Sequence, residues 1–363
     1  MLLPYTINIF QFQDDWNQLR LLNCCVGGVD LAVFLSVSDI TYDNIISLDN
    51  LLGAWEEFLD GKRKRKDVQV FQYDLMNNIF ELHNDLKNKT YTHGSYEAFN
   101  ISDPKPRNIH KACVRDRLLH HTIYRQLYPF FDSKFIYHSY SCRRNKGTHK
   151  ALASFTKMAR EVSANDTKIC WVLKCDIKKF FASIDHKILL DILQKHIKDE
   201  DIFWLLGQVV VSFQTEPDRG LPLGNLTSQL MVNVYMNEFD QFVKHNLRAE
   251  HYIRYADDFV VLSQNHDYLL EVLQVIHNFL EDRLVLRLHP NKVSIETLAS
   301  GVDFLGWVHF PHHRTLRTTT KHRVQKGVIG REVNSHTTQS YLGILKHGNT
   351  YKLKTDVLSL AEA

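Results

Sequence analysis

The sequence predicts an α+β fold, and two features in the central part of the chain carry that prediction. An apolar run at 171–175 predicts a buried strand that ends on Asp176, and residues 254–262 predict a hairpin with Asp257 and Asp258 in its turn. Helical apolar patterns lie between and after these segments. Strand, helix, hairpin, helix and strand is the order of a split βαβ sheet, which would bring the three acids to adjacent strand ends.

The three acids predict a metal site. Two adjacent carboxylates repel each other, so a hairpin that presents Asp257 and Asp258 together is most easily explained by a divalent cation. The alternative is a solvated Asp-Asp turn, which is ordinary turn chemistry. Asp176 favours the metal, because three carboxylates on adjacent strand ends can hold two divalent ions about 4 Å apart.

The composition is that of a soluble chain with ample core: 363 residues, 44% hydrophobic and 23% charged, for which we expect one compact catalytic unit with subdomains. The net charge of +3 is unevenly distributed. Residues 310–363 contain nine Lys or Arg against three acids, and residues 62–66 are an uninterrupted basic run. Such clusters suit phosphate backbones, with a solvated surface as the other interpretation.

Location follows from the cysteines and the amino terminus. The six cysteines show no CxxC pair, which predicts reduced thiols and a cytoplasmic protein. The first residues lack a basic region, and the apolar stretch 24–37 is interrupted by Asp30. We therefore expect neither a signal peptide nor a membrane span.

Residues 1–45 contain no motif that we can interpret, and the following segments have recognisable patterns. The expected helices lie at 48–58, 73–86, 118–127, 188–197, 227–243 and 340–348, and another begins after Asn265 or Asp267. A strand is expected at 284–288 and a hairpin at 302–308.

Cationic segments at 104–110, 115–117 and 139–149 could grip a triphosphate, because the Arg fork matches phosphate oxygens. Cys142 and His149 lack partner spacing for a metal, so we expect them to be structural. The loop at 220–229 contains Gly224, which could let the backbone approach a flat ligand closely.

From about Ile46 to the carboxyl terminus the chain resembles reverse transcriptases. Asp176 looks like the first catalytic acid, and Tyr255-Ala256-Asp257-Asp258 is similar to the catalytic hairpin. Lys292 resembles the downstream lysine, and Phe304-Leu305-Gly306-Trp307 looks like the primer grip. The resemblance implies a right-hand polymerase with an extension at 1–45, helices and fingers at 46–170, a palm at 171–309 with a possible fingers insertion around 195–225, and a basic helical thumb at 310–363.

One loop points to a branch of that family. Most group II intron enzymes carry Gln-Gly and then Ser-Pro there, whereas this chain has Leu223-Gly224 and Ser228-Gln229. That variant resembles the diversity-generating retroelement branch, as do segments 104–109, 143–149 and 340–348. The branch implies error-prone copying of a template-repeat RNA, with errors concentrated at adenines. It also implies a small basic, oligomeric accessory variability protein and a prokaryotic or phage-encoded source.

The resemblance assigns roles to individual residues. Two Mg²⁺ ions, with Mn²⁺ as an alternative, would be held by Asp176, Ile177, Asp257 and Asp258. The incoming nucleotide would be bound by Lys105, Arg107, Arg117, Arg143, Phe181, Leu223, Gly224 and Gln229. Phe181 would lie under the sugar; the alternative is that it packs in the core. Lys292 would protonate the leaving pyrophosphate; the alternative is that it is a surface lysine.

Two other classes of function remain open. One is another reverse transcriptase lineage, either intron-encoded or acting in antiphage defence, against which the Leu223 and Gln229 loop argues. The other is a non-catalytic RNA-binding module on a polymerase scaffold, against which the three intact acids argue. Whether the chain is of the retroelement branch or of another reverse transcriptase lineage, its expected partners are template RNA, a primer or its cDNA, and deoxynucleoside triphosphates.

Overall fold

A computed structural model of the chain describes residues 40–102 and 106–362. The chain divides into two compact units. The described residues of the first unit fall within Met1–Ile136, Lys179–Asp240 and Asp282–Leu286, and those of the second within Tyr137–Lys178, Gln241–Glu281 and Arg287–Ala363. Most of the predicted extension at 1–45 lies outside the described residues.

The first unit is largely helical. Its helices are α1 (Tyr42–Ile46), α2 (Leu48–Phe58), α3 (Lys66–Tyr73), α4 (Leu75–Lys87), α5 (Val114–Asp132), α7 (Phe180–Ser183), α8 (His186–His196), α9 (Glu200–Val211) and α10 (Leu226–Gln241). The Ser47 hydroxyl accepts a hydrogen bond from the Asn50 amide and so caps α2. Strands β1 (Tyr96–Ile101) and β2 (Arg107–Ala112) pair antiparallel.

The central sheet lies in the second unit. Its strands are β3 (Trp171–Asp176), β4 (Tyr252–Tyr255), β5 (Asp258–Ser263) and β6 (Ser294–Thr297), in the order β4-β5-β3-β6. All three pairings are antiparallel. The first of these four strands along the chain, β3, is therefore an inner strand of the sheet, as the predicted split βαβ arrangement requires. The α+β class is confirmed.

Two helices flank this sheet in sequence. They are α6 (Thr148–Val162) and α11 (His266–Leu284), and the Asn265 side chain accepts from the Tyr268 amide to cap the latter. The core of the second unit includes the fully buried Phe155, Val172 and Val260. The run at 259–262 is buried throughout, which explains its unbroken apolar sequence.

A smaller sheet and the basic tail complete the second unit. The sheet contains β7 (Val302–Phe304), β8 (Trp307–His309) and β9 (Arg314–Leu316). The tail forms α12 (Thr318–Val328), α13 (His336–Leu345) and α14 (Tyr351–Glu362). No helix among the described residues is both long enough and apolar enough to cross a membrane.

Several expected element boundaries were wrong, among them the following three. Residues 284–288 are not a strand: α11 continues to Leu284, Leu288 makes an isolated bridge to Ile177, and the fourth strand is Ser294–Thr297. The helix expected at 118–127 already begins at Val114. The helix expected at 73–86 is interrupted at Asp74, whose backbone (φ −120°, ψ 44°) is not helical.

Candidate active site

The hairpin turn that carries two of the acids is built from the residues between β4 and β5. Tyr255 pairs with Asp258, which leaves Ala256 and Asp257 as the two loop residues. Ala256 has a φ of 55°, a left-handed conformation that is uncommon for a residue with a side chain. The Ile177 amide donates to the Asp257 carbonyl at 3.2 Å, so the turn is fastened to the end of β3.

The third acid lies at the adjoining strand end. Asp176 is the last residue of β3 and is the register partner of Asp258, the first residue of β5. The Asp176 side chain is almost fully buried. Burial, together with the negative charges of Asp257 and Asp176, raises the pKa of the Asp258 carboxyl to about 7.

The chemistry of this donor set fits a divalent metal ion. Carboxylate oxygens are the ligands that Mg²⁺ and Mn²⁺ prefer, and a bound cation would relieve the repulsion that raises the Asp258 pKa. Within residues 40–102 and 106–362, no three His, Cys, Asp or Glu side chains are already gathered as a metal-coordinating group. The positively charged side chain of Lys292 is paired with Asp176.

Lys292 was the predicted downstream lysine, and its ammonium Nζ lies 2.7 and 2.8 Å from the two carboxylate oxygens of Asp176. The lysine side chain is 41% exposed, whereas that of Asp176 is 10% exposed. The backbone supports this pairing, because the His289 amide donates to the Asp176 carbonyl at 2.7 Å and the Lys292 amide donates to the His289 carbonyl. Lys292 therefore belongs to the acid cluster.

Sequence reasoning gave no role to Arg254, which lies in β4 and is fully buried. Its guanidinium donates to the Ala256 carbonyl inside the turn, at 3.2 Å. The available signal was an arginine in an apolar strand, three residues before the first of the paired acids.

In the first unit, two of the predicted nucleotide-binding positions, Phe181 and Leu223, accept backbone hydrogen bonds, and a third, Gly224, lies close to β2. The Leu221 amide donates to the Phe181 carbonyl at 2.8 Å, and the His110 amide of β2 donates to the Leu223 carbonyl at 3.1 Å. Gly224 has a φ of 113°, and a Cβ there would lie 3.0 Å from the Ile109 side chain. Phe181 and Leu223 are both partly exposed. These contacts bring the loop and the Phe181 turn together.

The predicted triphosphate-binding cations have different surroundings. Arg107 is exposed at the start of β2. The same strand carries His110, whose amide donates to the Leu223 carbonyl. Arg117 is largely buried and its guanidinium pairs with Asp67 at 2.5 Å. Arg143, in the second unit, donates to the Ser139 carbonyl at 3.0 Å.

The two remaining nucleotide-binding predictions are Lys105 and Gln229. Lys105 lies outside the described residues. Gln229 is partly buried in the first turn of α10, and its amide donates to the Asn225 carbonyl at 3.3 Å. Asn225 in turn donates through its side chain to the His110 carbonyl, which links this helix start to β2.

The predicted primer grip forms the hairpin between β7 and β8. Phe304 pairs with Trp307 in register, and Leu305 and Gly306 form the two-residue turn with φ values of 50° and 84°. Phe304 and Trp307 are buried, and the Arg317 amide donates to the Gly306 carbonyl at 3.1 Å. The hairpin is thus held by its buried strand residues and by the hydrogen bond to Gly306, with the turn residues partly exposed.

Comparison with known proteins identifies the family. The model described as "Reverse transcriptase (RNA-dependent DNA polymerase)" matches residues 101–309. Protein YkfC of Escherichia coli is 26% identical over 259 residues, covering 61% of this chain and 66% of YkfC. The group II intron-encoded protein LtrA of Lactococcus lactis is 27% identical over 215 residues, covering 56% of this chain and 33% of LtrA.

More distant similarities were also found. The putative COX1/OXI3 intron 2 protein of Saccharomyces cerevisiae is 19% identical, covering 60% of this chain and 31% of that protein. A telomerase structure from Candida albicans aligns with a TM-score of 0.49 at 10% identity, covering 76% of this chain and 58% of that chain. The chain thus spans about two thirds of YkfC and about a third of the intron proteins.

The family model covers more than half of the chain and includes all three acids of the central sheet and Lys292. The α+β architecture with a split βαβ sheet agrees with the right-hand polymerase fold expected from the sequence. The chain belongs to the reverse transcriptase (RNA-dependent DNA polymerase) family.

Proposed function

We propose that this protein is an RNA-directed DNA polymerase that extends a primer on an RNA template with deoxynucleoside triphosphates. The observation that carries the proposal is the placement of Asp176, Asp257 and Asp258 at adjoining strand ends, with Lys292 paired to Asp176. Membership of the reverse transcriptase family supports the same chemistry.

The residues of the chain have separate tasks in this reaction. Asp176, Asp257 and Asp258, with Ile177 beside them, would hold two Mg²⁺ or Mn²⁺ ions. Bound divalent ions lower the pKa of a primer 3′-hydroxyl and stabilise a leaving pyrophosphate. Lys292 holds a proton on Nζ beside Asp176, from where it would protonate the leaving group. Phe181, Leu223 and Gly224 would bind the sugar and base of the nucleotide, and Arg107 and Arg143 its triphosphate.

The test is primer extension on an RNA template with Mg²⁺. We expect Asp257→Asn to abolish extension and to leave RNA binding nearly intact. The change removes a metal ligand, but it removes no contact to the phosphate backbone of the RNA. Asp267→Asn, at an acid whose side chain is 89% exposed, is the matched control and should retain full activity. Normal extension by Asp257→Asn would overturn the assignment, and a wild-type protein that only binds RNA would indicate a non-catalytic module.

We further propose the diversity-generating retroelement branch as the biological setting. Leu223 and Gln229 support it, because most group II intron enzymes have glutamine and proline at the corresponding loop positions. In this setting the template is a template-repeat RNA and the partner is a small basic accessory variability protein. An error spectrum concentrated opposite template adenines would support the branch.

The second candidate is an intron-type reverse transcriptase. The similarity to LtrA and to a yeast intron protein favours it. The two candidates differ in fidelity: an intron-type enzyme should show no excess of errors opposite adenine. Sequencing of cDNA made on a template containing all four bases distinguishes them.

A further inference from the structure

Arg254 is the largest fully buried side chain among the described residues, and it lies one residue before the catalytic hairpin motif. Moving a guanidinium out of water has a high free-energy cost, so a buried arginine requires well-placed hydrogen-bond partners. The arrangement of those partners indicates what the residue holds in place.

The guanidinium joins two segments that are far apart in sequence. One nitrogen donates to the Ala256 carbonyl at 3.2 Å, and another donates to the Ser139 hydroxyl at 3.0 Å. The backbone repeats the connection, because the Arg254 amide donates to the His138 carbonyl and the Arg254 carbonyl accepts from the Tyr140 amide, both at 3.0 Å. The segment that begins at Ser139 is therefore fastened to β4 through side chain and backbone.

The fastened segment carries Arg143, a predicted triphosphate contact. One Arg143 guanidinium nitrogen donates to the Ser139 carbonyl at 3.0 Å, so the same serine contacts both arginines. The Gly147 amide donates to the Tyr140 carbonyl and closes the segment into a loop. The Thr148 hydroxyl donates to the Tyr255 hydroxyl at 3.1 Å, which makes a second side-chain link to the hairpin.

We propose that Arg254 is a positioning residue that sets the distance between Arg143 and the acids of the catalytic turn. One planar group contacts both Ala256, which adjoins Asp257, and Ser139, which supports Arg143. The guanidinium fork is rigid, so it fixes the relative position of the two contacts in a way that a single flexible ammonium does not. The inference rests on the proposed polymerase function and adds the means by which a triphosphate would be aligned with the acids.

The test compares Arg254→Lys and Ser139→Ala with Arg248→Lys, an exposed arginine in the same unit, as the matched control. Misplacement by about 1 Å can reduce a rate about 10²-fold. We expect Arg254→Lys to lower kcat/KM for the nucleotide by about 10- to 100-fold, with a higher KM as well as a lower kcat. Ser139→Ala should show a smaller loss of the same kind, and it decides the question if Arg254→Lys does not fold.

A double-mutant cycle separates positioning from general destabilisation. If Ser139 acts through Arg143, then Ser139→Ala should have little further effect in an Arg143→Ala background. Fully additive losses, or a lower kcat with an unchanged nucleotide KM, would overturn the proposal. Equal activity of Arg254→Lys and the Arg248→Lys control would overturn it as well.

A measurement without turnover tests the clamp independently of the proposed function. The Ile177 amide donates to the Asp257 carbonyl, so its hydrogen exchange reports the order of the turn. Arg254→Lys and Ser139→Ala should accelerate that exchange and leave amides in the centre of α6 unchanged. If the wild-type protein does not extend a primer, the polymerase proposal fails whatever this exchange shows. If the wild type is active and exchange at Ile177 does not change, the positioning role fails alone.

Discussion

The ammonium of Lys292 contacts both carboxylate oxygens of Asp176, the first of the three acids along the chain, at 2.7 and 2.8 Å. One positive charge therefore already neutralises an acid that is largely buried beside two others. A divalent ion that binds Asp176 must share this carboxylate with Lys292 or displace the lysine. The lysine is thus placed both to compete with metal and to act as a proton donor.

We expect Lys292→Met to bind Mn²⁺ more tightly than the wild type, because the competing cation is removed and the negative charge of the cluster increases. We also expect turnover to fall by roughly 10²-fold, the lower end of what a general acid contributes. Electron paramagnetic resonance titration with Mn²⁺ measures the first effect without catalysis, and single-turnover extension measures the second.

Lys292→Arg is the matched variant. It keeps the positive charge, but a guanidinium stays protonated and so cannot act as the proton donor. It should bind Mn²⁺ as the wild type does and remain slow. Weaker Mn²⁺ binding by Lys292→Met would mean that Lys292 supports the metal site, and full activity of both variants would show that it is only a surface lysine.

The placement of the acids could be predicted from the sequence because each lies at, or next to, the end of a locally encoded strand. The turn at Asp257 needs only its flanking apolar runs, and Asp176 follows directly after one. The role of Arg254 could not be predicted in this way, because its partner Ser139 is 115 residues away along the chain. Contacts over such separations depend on the tertiary fold.

The fourth strand of the central sheet could not be predicted from the local sequence either. Leu284, Leu286 and Leu288 alternate as in a strand, which led to the wrong expectation for 284–288. The alternation instead serves burial, since Leu284 and Leu286 are both fully buried where α11 ends. The actual strand, Ser294–Thr297, has a weak apolar pattern, and its pairing with β3 identifies it.

The basic tail is predicted to hold the template–primer duplex through its phosphates. Lys326, Lys346 and Lys352 are exposed, so neutralising them should change charge without disturbing the core. Replacing all three with glutamine should weaken binding at every sequence. It should also flatten the slope of log K against log salt by about 0.7 to 0.9 for each phosphate that is no longer neutralised. Fluorescence anisotropy over a salt series measures that slope.

A matched control uses three exposed lysines outside the tail, namely Lys157, Lys168 and Lys187. Their joint replacement with glutamine changes the net charge by the same amount and should leave the slope nearly unchanged. A slope that responds equally to both triple variants would show a diffuse charge effect and would refute a specific phosphate contact by the tail. The exposed Arg63, Lys64 and Lys66 form a second set for the same measurement.

Phe181 is predicted to exclude ribonucleotides. Its ring is partly exposed and packs edge-on against Phe180 at a centroid distance of 5.6 Å, so it is not enclosed in the core. Phe181→Val should raise ribonucleotide incorporation, because a smaller side chain leaves space for a 2′-hydroxyl. Phe203→Val, at another partly exposed phenylalanine of the first unit, should not. Reduced stability with unchanged sugar discrimination would show that Phe181 is a packing residue.

Leu223 is predicted to lower fidelity, and Leu223→Gln is the change that tests this. The leucine side chain is partly exposed, and its carbonyl is held by the His110 amide, so the backbone position is fixed whichever side chain is present. Leucine offers neither a hydrogen-bond donor nor an acceptor, whereas glutamine offers both. Replacement with glutamine therefore adds a potential contact to the nucleotide without requiring the loop to move.

The size of the effect follows from the strength of one hydrogen bond. A neutral hydrogen bond contributes roughly 0.5 to 1.5 kcal/mol net. If it forms only in the correctly paired transition state, it improves discrimination by up to about tenfold. Misincorporation opposite each template base should therefore fall in Leu223→Gln. We expect the largest fall at adenine, because the resemblance to the diversity-generating retroelement branch implies that errors concentrate there. Leu226→Gln, at a partly exposed leucine at the start of α10, is the control. An error spectrum of Leu223→Gln identical to that of the wild type and of this control would show that fidelity is set elsewhere.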